Sequence, residues 1–143
     1  MDIRDALALA TACLFMTACS SAPRMAQGLV KVEVVKNDSG YVLMRGGEPY
    51  TVRGAGMEVD DVARFAANGG NSIRTWTTDD PRQDLGALLD EAHAHGVTVA
   101  VGLPMRPERH GFDYDDPVAV AAQRESLRAD ILRYRDHPAL LAW

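Results

Sequence analysis

The stretch that decides the fold is Ser72-Ile73-Arg74-Thr75-Trp76, followed after one helix by Val97-Thr98-Val99-Ala100-Val101. The second segment is an apolar run of strand length, which is typical of a parallel strand covered on both faces. The segment between them has a helical apolar stripe that ends in a glycine, formed by Leu85, Leu88, Leu89, Ala92 and Gly96. Strand, helix and strand in this order predict a parallel crossover.

The same alternation continues on both sides of this stretch. Upstream, residues 50–54 predict a strand and residues 59–66 a helix that ends at Gly69-Gly70. Two Asp-Pro pairs, Asp80-Pro81 and Asp116-Pro117, predict the N-cap and first residue of the next two helices. The second of these helices stops before His137-Pro138, after which residues 139–143 predict a further strand.

A β-hairpin is predicted before the first helix. Valines alternate with charged residues over 30–34, and Asn37-Asp38-Ser39-Gly40 predicts a turn into a second strand over 41–44. Gly46-Gly47-Glu48-Pro49 predicts another turn.

Four strands separated by three helices predict an α/β fold with a parallel sheet. The segment after the first of these strands, Gly54-Ala55-Gly56-Met57-Glu58, has only two glycines, and its glutamate would repel a phosphate, which disfavours an open nucleotide-binding sheet. We therefore expect a partial (β/α)8 TIM barrel, preceded by the short hairpin. A complete barrel needs about 250 residues. Residues 29–143 are thus expected to be its amino-terminal half, truncated.

The first residues predict export. Residues 1–19 contain an apolar segment of the length found in signal peptides, and Met16-Thr17-Ala18-Cys19-Ser20-Ser21 is similar to a bacterial lipobox. The resemblance implies lipidation at Cys19 and an anchor in the bacterial cell envelope, with residues 20–28 as a tether. The alternative is a buried helix with two incidental cysteines. Both cysteines precede the folded part, so that part can form neither a disulfide nor a thiolate metal site.

The charge of the chain bears on its partners. A formal net charge of -5 provides no positive surface for nucleic acid or for anionic lipid. We expect no nucleic-acid partner, and contact with a membrane only through the lipid anchor.

Arg74 and Trp76 are the first candidate site residues. Side chains alternate along a strand, so apolar Ile73 would face the helices and Arg74 the barrel axis, near the carboxyl end where barrel active sites lie. A guanidinium there needs a carboxylate or a polar substrate group of an active site. The alternative is a purely structural ion pair with a neighbouring loop. Trp76 is either a stacking platform for an apolar ring face or a plug of the barrel top.

The loop over residues 104–115 supplies the other candidates. It is long, charged and aromatic, and we expect Glu108 and His110 to contact substrate. Glu108, His110 and Asp113 lack the spacing of a metal site, and His93 and His95 are better interpreted as cations at a helix C-terminus. We expect neither metal nor cofactor.

Four segments in order resemble the catalytic barrel of glycoside hydrolase family 2 and related retaining glycosidases. The first three are Gly47-Glu48-Pro49-Tyr50-Thr51-Val52-Arg53-Gly54, Gly69-Gly70-Asn71-Ser72-Ile73-Arg74-Thr75-Trp76, and Leu89-Asp90-Glu91-Ala92 continuing to Gly96-Val97-Thr98-Val99. The fourth is Arg135-Asp136-His137-Pro138-Ala139-Leu140-Leu141-Ala142-Trp143, which is similar to the segment directly before the family's Gly-Asn-Glu. The family usually carries two β-domains before the barrel, whereas only a tether and a hairpin are predicted before it in this sequence.

The resemblance implies a retaining hydrolase of oligo- or polysaccharides with two glutamates. The acid/base glutamate would lie in the Gly-Asn-Glu that starts just beyond Trp143, and the nucleophile would lie further on, so residues 1–143 alone are expected to be inactive. Arg74 matches the arginine that holds the nucleophile ionised. The alternatives are a transglycosidase similar to fungal glucanosyltransferases, and a carbohydrate-binding lipoprotein without catalysis. A metal-dependent hydrolase would need histidines at strand ends, where none is predicted.

Overall fold

The computed structural model describes residues 28–57 and 61–143. An antiparallel sheet comes first, in the order β1 (Val32–Asn37), β2 (Gly40–Arg45), β3 (Glu48–Pro49). A separate parallel sheet has the order β4 (Gly54–Gly56), β5 (Ser72–Arg74), β6 (Thr98–Ala100), β7 (Leu140–Ala142). The helices are α1 (Val62–Ala67), α2 (Leu85–Ala94) and α3 (Pro117–Tyr134), with a 3-10 turn over Glu108–His110.

The export signals lie outside the described residues. This applies to the predicted signal peptide, to Cys19 with its lipobox, and to all of the tether except Gly28. In the part of the chain that the structure describes, no helix combines the length and the apolarity needed to cross a bilayer.

One hydrophobic core joins all three helices to the parallel sheet. Ile73 of β5 and Val99 of β6 are buried with Val62 of α1 and Leu89 of α2, and Tyr134 of α3 packs against the same cluster. All three helices therefore cover one face of the sheet. The remaining buried members of the cluster are Leu85, Leu88, Ala92, Val97, Val101 and Ala139. The prediction of an α/β fold with a parallel sheet and a preceding hairpin is confirmed.

The hairpin sheet is joined to the amino-terminal edge of the parallel sheet. The Tyr50 hydroxyl, directly after β3, donates to the carbonyl of Asn71 at 2.6 Å and lies 3.1 Å from Thr98 Oγ1. Thr98 Oγ1 in turn donates to Ser72 Oγ at 3.0 Å, and Arg45 of β2 donates to the carbonyl of Pro138 at 2.8 Å. These groups lie at the starts of β5, β6 and β7.

The strand predicted over residues 50–54 is wrong in its position. Glu48–Pro49 pairs with β2, so the second turn is confined to Gly46 and Gly47, and the first parallel strand starts only at Gly54. The Asn71 side chain explains the shift. It accepts from the Arg53 amide at 2.7 Å and donates to the Thr51 carbonyl at 2.8 Å, so it takes the place of a neighbouring strand.

The helix signals were right at the amino end of α3 and at the carboxyl end of α2, and wrong at the amino ends of α1 and α2. Asp116 caps α3 by accepting from the Val118 amide at 2.8 Å, and Gly96 follows α2 with a φ of +68°. The helix predicted from residue 59 begins at Val62 after its N-cap Asp61, and Val59 lies outside the described residues.

Asp80 does not cap α2, contrary to the prediction from Asp80-Pro81. The N-cap is Asp84, whose side chain accepts from the Ala87 amide at 2.8 Å. Asp80 instead accepts from the backbone amide of Arg82 at 2.9 Å and from its guanidinium at 2.7 Å. The nearby guanidinium therefore engages the carboxylate that the Asp-Pro pattern assigned to the helix.

Replacing Tyr50 with phenylalanine should destabilise the protein. The change removes the hydroxyl that joins the hairpin to β5 and β6, and the loss of a part-buried hydrogen bond costs about 1–2 kcal/mol. Urea unfolding in dilute solution measures the difference, with Tyr41→Phe as the control because Tyr41 is exposed. Equal stabilities of the two variants would show that the hydroxyl does not join the sheets.

Replacing Arg82 with alanine should raise the pKa of Asp80. Hydrogen bonds from the Arg82 side chain and backbone lower that pKa from 3.8 to about 2. Because the folded-state pKa lies below the unfolded value, the stabilising contribution is present above pH 3.8 and is lost as the pH falls toward 2. NMR titration of the carboxyl should show a midpoint shifted toward 3.8 in Arg82→Ala, and an unchanged one in Arg128→Ala. A midpoint that stays near 2 in Arg82→Ala contradicts the assigned cause.

Candidate functional site

Arg74 lies on the sheet face opposite to the helices. Its neighbour Ile73 is 1% exposed in the helix-covered core, whereas Arg74 itself is exposed. Because side chains alternate along a strand, the two residues face opposite sides. The guanidinium carbon lies 4.4 Å from the centroid of the Trp76 ring, so the two side chains form a cation-π pair.

Two glycines make room for Trp76. A Cβ atom on Gly56 of β4 would come within 2.9 Å of the indole ring, and one on Gly102 within 2.5 Å of the Trp76 backbone. Thr75 fixes the same region, because its Oγ1 accepts from the Gly102 amide at 3.2 Å. The indole therefore lies against the backbone of β4, half exposed.

Sequence reasoning missed the role of both glycines. Gly56 was interpreted only as part of a nucleotide-binding pattern, and no role was predicted for Gly102. The local signal is a glycine at or near the carboxyl end of a strand, and its role becomes clear only when β4, β5 and β6 are known to be neighbours.

The loop that carries Glu108 and His110 is held against α3. The Arg106 amide donates to Gln123 Oε1 of α3 at 2.7 Å, and the Tyr114 hydroxyl donates back to the Arg106 carbonyl at 2.8 Å. Phe112 stacks edge-on against Tyr114, with ring centroids 4.7 Å apart. These contacts give the loop a defined shape without a buried core of its own.

His110 lines a groove that sequence reasoning did not identify. The groove has a volume of about 510 Å³ and is also lined by Asp79, Arg106 and Phe112. The same three residues line an adjoining cavity of about 260 Å³ between the loop and α3. The available signal was positional, because Asp79 follows the end of β5 and the other residues follow β6, at the edge where the strands end.

The four predicted site residues do not form one cluster. Arg74 and Trp76 contact each other, but neither lines the groove that contains His110. Glu108 lies on another side of the loop, in a depression with Asp113 and Tyr114. The structure thus presents a cation-π pair on the open sheet face and a separate groove in the loop.

Within residues 28–57 and 61–143, no carboxylate pairs with the Arg74 guanidinium. Its charge instead lies over the Trp76 ring, in the cation-π contact described above.

Across the same described part of the chain, no three histidine, cysteine or acidic side chains lie close enough to hold a metal ion. His93 lies in the last turn of α2 and His95 directly follows it, at the position predicted for helix-terminal cations.

No protein-family model matches this chain, and no curated protein matches it.

Replacing Gly56 with alanine should displace the Trp76 indole, because the added Cβ would meet the ring at 2.9 Å. In a Trp143→Phe background, Trp76 is the only tryptophan. We expect its emission to shift to longer wavelength and acrylamide quenching to increase, as the ring leaves the backbone of β4. Ala55→Ser in the same background is the control. Identical spectra for the glycine and alanine forms would contradict the described packing.

Proposed function

We propose that residues 29–143 are the amino-terminal half of a (β/α)8 barrel of the retaining glycosidase type. Three features support this. The four parallel strands are neighbours in chain order, the helices cover one face, and the outer edges of β4 and β7 have no partner strand among the described residues. In an open doubly wound sheet, by contrast, the strand order reverses and helices cover both faces.

The position of Arg74 on the face opposite to the helices is the observation that supports this function. In a closed barrel the face opposite to the helices points to the axis, so the guanidinium would lie inside, near the carboxyl end of its strand. An unpaired buried cation is costly, so we expect the remaining half to bring a carboxylate to it. A retaining glycosidase requires such a group, because its nucleophile must stay ionised.

The proposed chemistry assigns a role to each part of the site. An acid/base glutamate, the last residue of a Gly-Asn-Glu after Trp143, would protonate the leaving oxygen, and a second glutamate, held by Arg74, would attack the anomeric carbon. Trp76 presents a half-exposed ring on which a sugar can stack. Glu108 and His110 lie in the loop after β6, where they would contact more distant sugar units. With Cys19 lipidated, this hydrolase would act on oligo- or polysaccharides at the bacterial cell envelope.

A carbohydrate-binding protein without catalysis is the second candidate. This candidate is favoured by the exposed Trp76 ring beside Arg74. The two side chains can bind a sugar without a catalytic glutamate. A glucanosyltransferase would use the same glutamates and would differ only in passing the glycosyl unit to a sugar hydroxyl instead of water.

The reading frame beyond Trp143 separates these candidates. A Gly-Asn-Glu directly after Trp143 supports the enzyme, and a different residue in place of the glutamate supports the binder. The chain continued through the rest of its reading frame, here called the extended chain, can then be assayed on β-linked oligosaccharides. Shortened products indicate hydrolysis, lengthened products indicate transfer, and retention on a polysaccharide without products indicates binding alone.

Replacing Arg74 with alanine in the extended chain should lower kcat/KM by roughly 100-fold, because a charge that stabilises the nucleophile is lost. Loss of the positive charge also raises the pKa of the carboxylate that it holds, so the acidic limb of the pH profile should move to higher pH. Arg74→Lys should retain part of the activity, and Arg64→Ala on the exposed side of α1 should retain all of it. An Arg74→Ala variant with an unchanged pH profile would exclude the proposed role.

A further inference from the structure

The groove of about 510 Å³, here called the loop groove, has walls that are fixed to α3 from two sides. Asp79 lies in the loop after β5, where the neighbouring Thr78 hydroxyl donates to Asp130 Oδ2 at 2.5 Å. On the other side, the Arg106 amide donates to Gln123 Oε1 at 2.7 Å. Gln123 and Asp130 are about two helical turns apart, so they lie on the same side of α3. One helix face therefore holds both walls in place without a ligand.

The charged side chains of the loop groove differ in what they already bind. In the part of the chain that the structure describes, neither the Arg106 guanidinium nor the His110 ring makes a hydrogen bond or an ion pair. The Asp79 carboxylate, in contrast, accepts from the Thr77 hydroxyl. Among the described ionisable groups of the groove, those without a partner are thus a guanidinium and an imidazole.

These groups fit a ligand that combines a carboxylate with a sugar ring. A guanidinium donates two parallel hydrogen bonds to a carboxylate, and an imidazole can donate a further one. The Phe112 ring also lines the groove, and an aromatic ring can pack against the apolar face of a sugar. Asp79 can accept from a sugar hydroxyl. The volume of the groove lies within the range of small-molecule sites, about 300–1,000 Å³.

We propose that the loop groove is a subsite for a sugar unit that bears a carboxylate, as a uronic acid does. The choice of a sugar rests on the proposed function, whereas the preference for a carboxylate rests on Arg106 and His110. Neither Arg74 nor Trp76 lines the groove, so the acidic unit lies outside the proposed reaction centre. The substrate class is therefore an acidic oligo- or polysaccharide that is recognised away from the cleaved bond.

Binding of a sulfur-linked trimer of β-glucuronic acid to the extended chain tests this preference. Glycosidases do not cleave the sulfur linkage, so binding is measured without reaction. The methyl ester of the trimer keeps the rings and hydroxyls but lacks the charges. In isothermal titration calorimetry, the acid should bind roughly 10-fold more tightly than the ester, because hydrogen bonds between charged groups are the stronger ones. Equal affinities, or no binding of the acid, overturn the inference.

Arg106→Gln and Arg109→Gln form a matched pair that locates the preference. Arg109 is exposed in the same loop and lines neither the loop groove nor the adjoining cavity. Arg106 binds Gln123 and Tyr114 through its backbone, so these bonds remain when its side chain is replaced. Arg106→Gln should bind acid and ester alike, whereas Arg109→Gln should retain the difference. An Arg106→Gln variant that still prefers the acid would show that the carboxylate is bound elsewhere.

NMR of the unmodified extended chain provides a test that needs no variant. The acid trimer should shift the ring resonances of His110 and leave those of His95, at the end of α2, unchanged. Inorganic phosphate at the same concentration is the comparison. An unshifted His110, or an equal shift with phosphate, would contradict a sugar subsite in this groove.

Neither measurement needs catalysis. Selective binding of the acid by an extended chain that cleaves no glycoside would support the subsite and count against the proposed hydrolase. An active glycosidase that binds acid and ester alike would do the opposite.

Discussion

The burial of Ile73 beneath the helices determines the orientation of the second parallel strand. Because side chains alternate along a strand, the burial of Ile73 places Arg74 on the face that the helices leave open. Trp76, two residues on, then lies beside the guanidinium, at a point where Gly56 leaves space for the ring. The candidate site is thus a consequence of core packing on the other side of the same strand.

The hairpin closes one end of this arrangement. Tyr50 and Arg45 bind the starts of three parallel strands, and the Thr98 and Ser72 hydroxyls beneath them are buried but hydrogen-bonded to each other. Buried hydroxyls without partners would be costly, so this network allows polar side chains on the open face at its amino-terminal end. The opposite, carboxyl end bears Arg74 and Trp76.

Local signals were sufficient for some helix ends but not for all. Asp116 and Gly96 act on their own helix ends, and their roles could be predicted. Asp80 was misassigned because Arg82 competes for its carboxylate two residues away. The first parallel strand was misplaced because its predicted start is bound by Asn71, which is distant in sequence.

The candidate site was predictable only in part, because most of its contacts join residues that are distant in sequence. The face of Arg74 follows from alternation along one strand. The contact of Trp76 with Gly56 and the groove shared by Asp79, Arg106 and His110 need the neighbour relations of several elements. Glu108 and His110 are close in the chain, but the 3-10 turn and Gly111 direct them to different sides of the loop.

The most direct test of the barrel is a crystal structure of the extended chain. The account predicts that a new strand pairs with β7, that the last strand pairs with β4, and that a carboxylate lies within about 4 Å of the Arg74 guanidinium. A further strand beside β4 with a helix packed over Arg74 would contradict it, since that face would then belong to an open sheet.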